Sequence, residues 1–208
     1  MPRTRIKICG LTRPQDLEAA IRLGADAVGF VFYPPSPRYL SPVLARELAL
    51  RVPPFVTRVG LFVNADSQQV HETLSEVPLD LLQFHGEEDA GYCAQFGLPY
   101  LKAARVRPGV DLLEFARTYA TAQGILLDAW VEAYGGVGQS FDWSLIPSNL
   151  PVPMVLSGGL HVDNVGEAVM KIKPWAVDVS SGVESAKGIK DAGKIATFIT
   201  AVRTADAC

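Results

Sequence analysis

Short apolar runs alternate with stretches of helical spacing along the whole chain. The runs are rich in Val, Ile, Leu and Phe and are bounded by Gly, Pro, Asp and Asn, which is typical of buried strands. Eight strands are predicted: Arg5–Cys9, Ala27–Phe32, Thr57–Val63, Leu81–His85, Tyr100–Val106, Gly124–Asp128, Met154–Ser157 and Ala176–Ser180.

The stretches between these runs carry apolar residues at helical spacing, as in Leu17, Ala20 and Ile21. Start and stop signals accompany them. We expect a capping box at Thr12-Arg13-Pro14-Gln15, further caps at Asp66-Ser67 and Asp163, and helix ends at Gly24 and Gly97.

Strand and helix alternate eight times, which predicts parallel strands joined by right-handed crossovers. Eight such units favour a closed (β/α)8 TIM barrel over an open sheet, with residues 1–208 as a single catalytic domain. The helix after the sixth strand is the weakest, because Phe141–Ile146 is short and ends at Pro147.

Composition narrows the class of partner. The net charge is −3 and no long basic run occurs, which argues against nucleic acid. No apolar stretch approaches the ~20 residues of a membrane span. Three unevenly spaced cysteines (Cys9, Cys93 and Cys208) without a CxxC pattern favour neither a disulfide framework nor a zinc site, so a cytoplasmic protein is predicted.

Candidate chemistry gathers at the carboxyl ends of the strands, where parallel α/β folds bind ligands. Cys9 ends the first strand and Asp128 ends the sixth. These two strands lie three places apart in an eight-stranded circle, so their inward side chains face each other across the mouth. Each residue also has a plain structural interpretation: Cys9 as a small buried hydrophobe and Asp128 as a turn or capping aspartate.

Lys7 shares a strand face with Cys9, and two uses for it stay open. Its ammonium could lower the pKa of the Cys9 thiol, or it could pair with Asp178, which is also expected to face inward. His85 and Gln83 point inward as well, and His85 is interpreted as a packing and hydrogen-bonding residue in preference to a catalytic one.

Two glycine-rich loops follow strands seven and eight: Ser157-Gly158-Gly159-Leu160 and Asp178-Val179-Ser180-Ser181-Gly182. Glycine lets backbone N–H groups approach phosphate oxygens, and barrels commonly hold phosphate between these loops with a short extra helix, here expected at Val183–Lys187. The alternative is a pair of ordinary glycine turns. Two loops in this order favour a phosphate site.

With these residues placed, the chain resembles the phosphoribosylanthranilate isomerases of tryptophan biosynthesis nearly end to end. The motifs that carry the resemblance are Lys7-Ile8-Cys9-Gly10-Leu11-Thr12, Gly29-Phe30-Val31-Phe32, Ser36-Pro37-Arg38-Tyr39, Val59-Gly60-Leu61-Phe62-Val63-Asn64, Gln83-Phe84-His85-Gly86, Leu127-Asp128, Phe141-Asp142-Trp143, the two glycine loops, and Val183-Glu184 with Gly188-Ile189-Lys190-Asp191.

The resemblance implies an Amadori rearrangement of N-(5-phosphoribosyl)anthranilate to 1-(2-carboxyphenylamino)-1-deoxyribulose 5-phosphate, without a metal or organic cofactor. It assigns Asp128 as the acid, Cys9 as the base and Arg38 to the anthranilate end of the substrate. The substrate-binding residues that we expect are Lys7, Arg38, His85, Gly158, Gly159, Asp178, Ser180, Ser181 and Gly182. The protein is expected to be a monomer or homodimer.

One departure from the family pattern falls after the sixth strand. The loop reads Gly135-Gly136-Val137-Gly138, where the family usually has a hydroxyl residue in place of Val137. The change puts that loop's contact with the substrate in doubt, but not the chemistry.

Four rival functions are weaker. Indole-glycerol-phosphate synthases need a lysine-rich catalytic set, and ribulose-phosphate epimerases need metal-binding His/Asp positions that three scattered histidines do not supply. A silent barrel that only binds a phosphorylated metabolite would have no need of both Cys9 and Asp128. An enzyme that also accepts the two-phosphate substrate of histidine synthesis would need a second phosphate loop opposite the first.

Overall fold

Eight parallel strands close into a barrel in the computed structural model, which describes residues 3–129 and 142–208. The strands are β1 (Arg5–Cys9), β2 (Ala27–Val31), β3 (Thr57–Phe62), β4 (Leu81–Phe84), β5 (Tyr100–Val106), β6 (Gly124–Ala129), β7 (Met154–Leu156) and β8 (Ala176–Val179). They run in chain order and β8 pairs with β1, as in the register of Lys7 with Asp178. The (β/α)8 prediction is confirmed, with strand ends shifted by at most one residue.

Seven α-helices surround the barrel in the described part of the chain: α1 (Pro14–Leu23), α2 (Pro42–Ala49), α3 (Ser67–Glu76), α4 (Ala90–Ala94), α5 (Leu112–Thr118), α6 (Val165–Ile172) and α7 (Ala192–Asp206). Outward strand residues such as Ile8, Phe84 and Leu127 are fully buried against them. The barrel interior is separate, with an apolar lower part built around Leu101, Leu126 and Val155. The polar side chains of the interior therefore lie above an apolar floor.

Helix ends follow the sequence signals in part. Asp66 caps α3 in a complete capping box with Gln69, and Gly24 ends α1 with φ of 100°. The expected cap at Thr12 is wrong: α1 begins after Arg13, and the Thr12 hydroxyl instead donates to the carbonyl of Gly188 at 2.6 Å. The partner lies far along the chain, so no local signal could reveal it.

The expected cap at Asp163 is also wrong. Asn164 precedes α6, and its side chain accepts from the His161 N–H and donates to the Gly159 carbonyl. The amide therefore holds the turn after β7 together instead of capping the helix.

Two connections leave the regular alternation. After β6, the described residues include a 3-10 helix at Trp143–Leu145, which agrees with the expectation of a short or irregular helix. After β8, a 3-10 helix at Ser181–Val183 leads into an antiparallel hairpin of β9 (Glu184–Ala186) and β10 (Ile189–Lys190). The helix expected at Val183–Lys187 is wrong, because the chain turns back at Lys187-Gly188.

None of the helices in the described ranges is long and apolar enough to cross a membrane.

Candidate active site

A pocket of about 730 Å³ opens at the carboxyl ends of the strands. Nine of the eleven predicted site residues line it: Cys9, Arg38, His85, Asp128, Gly158, Gly159, Asp178, Ser180 and Ser181. Lys7 and Gly182 lie beside this lining and contact its residues.

Cys9 lies at one side of the pocket and is only 4% exposed. Below it, the Lys7 ammonium donates to Asp178 Oδ1 at 2.9 Å, and this pair is buried as well. Burial raises the pKa of Cys9; Lys7 opposes this by charge and hydrogen bonding, while the Asp178 carboxylate reinforces it. Both uses foreseen for Lys7 are therefore present, and the pKa of Cys9 is raised overall.

The same pair determines the state of Lys7. Burial acts to lower the pKa of Lys7, but Asp178 and Cys9 outweigh it, so the pKa is raised and the ammonium stays charged. A permanent cation thus lies directly beneath the thiol.

Arg38 comes from the loop after β2 and is 6% exposed, so it is a buried arginine of the pocket and not a surface residue. Its Nε and Nη2 donate to the two Glu184 oxygens at 2.7 and 2.8 Å. Lys190 donates to the same carboxylate at 2.8 Å and to the Ser180 carbonyl at 3.0 Å. The hairpin after β8 thereby fixes the guanidinium at the pocket wall.

The cluster of Arg38, Lys190 and Glu184 has more positive than negative charges. Burial acts to raise the pKa of Glu184, but the two cations outweigh it and lower the pKa overall. Burial lowers the pKa of Lys190 even though Glu184 opposes the change. The cluster therefore contains two cations for one carboxylate, which leaves it receptive to an anion at the pocket.

Asp128 lies on the far side of the mouth from Cys9, with β7 and β8 between their strands. Its Oδ1 accepts from the Ala129 N–H at 2.9 Å, and its Oδ2 lies 2.8 Å from His85 Nε2. His85 thus contacts Asp128 directly, which agrees with the packing and hydrogen-bonding role expected of it. The side chain of Asp128 is 21% exposed and open to the pocket.

The two glycine loops fill the arc between Cys9 and Asp128. A Cβ on Gly158, whose φ is 75°, would come within 2.9 Å of Asp128 Oδ1. A Cβ on Gly182 would collide with the carbonyl of Leu160, so this glycine brings the two loops together. Both positions require glycine for close packing, in addition to any contact with phosphate.

Sequence reasoning missed three contributors. Glu184 and Lys190 were noted only as parts of a motif, and Gln83 only as an inward residue. The Lys187-Gly188 turn between them is a hairpin signal that could have placed Glu184 beside Lys190. The contact of Glu184 with Arg38 spans 146 residues and had no such signal. The loop with Gly135-Gly136-Val137-Gly138 lies outside the described residues.

Comparisons with known proteins agree on one family. Residues 6–201 match the family model described as N-(5'phosphoribosyl)anthranilate (PRA) isomerase. An N-(5'-phosphoribosyl)anthranilate isomerase of Dechloromonas aromatica is 63% identical over 204 residues, covering 98% of this chain and 98% of that protein.

Solved structures give the same result. Phosphoribosyl anthranilate isomerase from Thermotoga maritima superposes with a TM-score of 0.90 at 44% identity, covering 97% of this chain and 99% of that one. Another crystal structure is of mutually generated monomers of the dimeric phosphoribosylanthranilate isomerase from Thermotoga maritima. Another phosphoribosyl anthranilate isomerase, in complex with reduced 1-(o-carboxyphenylamino)-1-deoxyribulose 5-phosphate, has a TM-score of 0.86 at 42% identity, covering 97% and 99%. The chain therefore belongs to the N-(5'-phosphoribosyl)anthranilate isomerase family.

Proposed function

We propose that the chain isomerises N-(5'-phosphoribosyl)anthranilate to 1-(2-carboxyphenylamino)-1-deoxyribulose 5-phosphate in tryptophan biosynthesis, with Asp128 as acid and Cys9 as base. The observation that carries the proposal is the order of groups around the mouth. Arg38 follows β2, Cys9 ends β1, the two glycine loops follow β8 and β7, and Asp128 is on β6.

That arrangement offers a place for each part of the substrate. The phosphate would lie between the loops that contain Gly158 and Ser181, and the anthranilate carboxylate would lie near Arg38. The ribose then spans the distance between Cys9 and Asp128. The bound product analogue of a relative supports this interpretation, since it carries the same three parts.

Proton transfers in this arrangement balance. Asp128 gives its proton to the furanose oxygen, and the C1–O bond breaks as the anthranilate nitrogen forms a double bond to C1. The Cys9 thiolate takes the proton from C2, which gives an enolamine. Protonation at C1 and loss of the C2 hydroxyl proton then give the ketone, so no proton is gained or lost overall.

The raised pKa of Cys9 fits a base that is protonated at rest. Such a thiolate is a minor species but a strong base once it forms. The cations of Lys7 and Lys190 limit the cost of forming it, because both act to lower the pKa.

The proposal also covers domain organisation, cofactor use, substrate range and oligomeric state. We infer that residues 1–208 act as one catalytic domain, without a cofactor, on a single phosphorylated substrate, as a monomer or homodimer. The cytoplasmic location stays a prediction from cysteine usage.

A fluorescence assay with freshly generated phosphoribosylanthranilate tests the function. Wild type should remove the anthranilate signal rapidly, and Asp128→Asn should lower kcat by about 10²–10⁴-fold, because the acid proton is lost. No turnover by wild type, with a product analogue still bound, would show a silent binding barrel instead. Full turnover by Asp128→Asn would require a different acid.

A further inference from the structure

Gln83 is an amide buried inside the barrel. It lies on β4, is 0% exposed, and faces the pocket floor just above the apolar interior residues Leu101 and Leu126. Its register partner on β5 is Leu101. Burying an amide is costly unless its hydrogen bonds are made, so this position calls for an explanation.

One end of the amide is used. Gln83 Nε2 lies 2.9 Å from His85 Nδ1, and His85 Nε2 lies 2.8 Å from Asp128 Oδ2. An amide nitrogen only donates, so Nδ1 of His85 must accept from Gln83. His85 is then the neutral tautomer in which Nε2 carries the hydrogen, and Nε2 donates it to Asp128 Oδ2.

The other end of the amide is not used. Gln83 Oε1 is buried and has no hydrogen-bond partner among the residues that the structure describes. An apolar side chain of similar volume would avoid this loss, so stability alone does not favour glutamine here. What glutamine supplies, and an apolar residue lacks, is the donor to His85.

We propose that Gln83 is a positioning residue that sets the Nε2–H tautomer of His85, which in turn fixes the carboxyl group of Asp128. The proposal rests on the proposed function only in giving Asp128 the role of acid. The backbone N–H of Ala129 holds one carboxyl oxygen and His85 holds the other, so the carboxyl plane is fixed at both ends. Each oxygen keeps a second lone pair for the transferred proton.

In the opposite tautomer His85 would turn a lone pair toward the Asp128 carboxylate. Asp128 Oδ2 would then lose the N–H donor that holds it, and the carboxyl group would no longer be fixed in the orientation in which it reaches the substrate. Partners that orient a reacting side chain in this way commonly contribute 10- to 100-fold.

Nitrogen NMR of the wild-type protein tests the tautomer without any substitution. The chain has three histidines, so His85 is assigned by the signals that vanish in His85→Gln. We expect a protonated Nε2 and an unprotonated Nδ1. A dominant Nδ1–H tautomer in the wild-type protein would overturn the proposal.

Two substitutions test the consequence. Gln83→Met keeps the volume and removes the donor, and Gln83→Glu replaces the donor with an acceptor that favours the Nδ1–H tautomer. In both, we expect the His85 nitrogen signals to change and kcat to fall about 10- to 100-fold, with KM within about threefold of wild type. The matched control is Leu101→Met, which alters packing beside Gln83 and should leave the tautomer and kcat unchanged.

The outcomes separate this proposal from the proposed function. A changed tautomer with unchanged kcat in Gln83→Met would overturn the positioning role. Activity retained in Asp128→Asn would remove the acid role of Asp128, while the His85 tautomer in wild type would still report on Gln83.

Discussion

Two regions of the molecule bury a cysteine beside a lysine–carboxylate pair. At the mouth, Cys9 lies above the pair of Lys7 and Asp178, whose charged atoms are 2.9 Å apart. In the wall between β4, α4 and β5, Cys93 lies beside Lys102 and Glu88, also 2.9 Å apart. The chemical groups are nearly the same in both regions.

What differs is how completely the carboxylate is enclosed. The Glu88 oxygens accept from the Asn64 and Gly86 N–H groups as well as from Lys102, and the Tyr119 hydroxyl covers its backbone carbonyl. Asp178, by contrast, lines the pocket together with Cys9. In the wall, the charges of Lys102 and Glu88 stabilise the fold. At the mouth, the carboxylate of Asp178 is available to a ligand.

The charges around the two thiols differ as well. Burial raises the pKa of Cys93 to about 12, with Lys102 opposing and Glu88 reinforcing the shift. Burial also raises the pKa of Cys9, but two lysines, Lys7 and Lys190, counteract it. Access to the pocket and a second cation therefore distinguish the Cys9 thiol from the Cys93 thiol.

Replacing each cysteine by alanine is the strongest test of this contrast. Cys9→Ala should lower kcat by about 10²–10⁴-fold with little change in substrate affinity, because the base is lost. Cys93→Ala should leave kcat near wild type and cost about 1 kcal/mol of stability. Steady-state kinetics and urea unfolding measure the two effects. A folded Cys93→Ala protein with the kinetic defect of Cys9→Ala would abolish the distinction.

Arg38 provides the next largest effect, on binding. Arg38→Met should raise KM about 10- to 100-fold, as expected when a charge-assisted hydrogen bond of about 1.5–3 kcal/mol to the substrate carboxylate is lost. The matched control is Arg58→Met, which removes an arginine paired with Asp80 outside the pocket. Initial rates over a range of substrate concentrations give both values. A KM within twofold of wild type in Arg38→Met would remove Arg38 from substrate binding.

Much of this contrast could be predicted from the sequence. The alternation of elements was enough to predict the barrel, and strand periodicity was enough to place Cys9 and Asp128 at the mouth. These features depend on local pattern and on the closure of eight strands, both of which the chain encodes within short windows.

Contacts between distant segments could not be predicted. The sequence predicts that the Thr12 hydroxyl caps a helix, but the hairpin after β8 places the Gly188 carbonyl beside it. The sequence predicts no partner for Arg38 within the protein, but the same hairpin brings the Glu184 carboxylate to it. The direction of a hairpin decides both pairings, and a hairpin's direction is set by tertiary packing that residue spacing does not record.

Two substitutions test separately how the charges of Lys7 and Asp178 change the pKa of Cys9. Lys7→Met should raise the pKa of Cys9 further, because it removes a cation that lowers that pKa. Asp178→Asn should move it the other way, because it removes an anion that raises it. The pH dependence of iodoacetamide alkylation in a Cys208→Ala background measures both, since Cys208 is otherwise the exposed thiol. Shifts in the same direction would contradict the charge assignment.

The wall region predicts a smaller effect, on alkaline stability. Cys93 has a folded pKa of about 12 against an ordinary value of 9.0, so between these values the unfolded chain binds fewer protons than the folded one. The free energy of unfolding therefore falls as pH rises through this window. Wild type should lose about 1.4 kcal/mol relative to Cys93→Ala between about pH 8 and about pH 10.

Urea unfolding of both proteins across that range measures the difference. Cys9, Tyr92 and Tyr119 also have raised pKa values and are present in both proteins. A charged Cys93 adds to the shifts of Tyr92 and Tyr119, but the folded thiol stays protonated up to about pH 10, so these contributions cancel in that range. A difference that stays constant with pH would mean that the Cys93 thiol ionises as easily in the folded protein as in the unfolded chain. The wall would then be open to solvent, and enclosure would no longer distinguish Cys93 from Cys9, the proposed base.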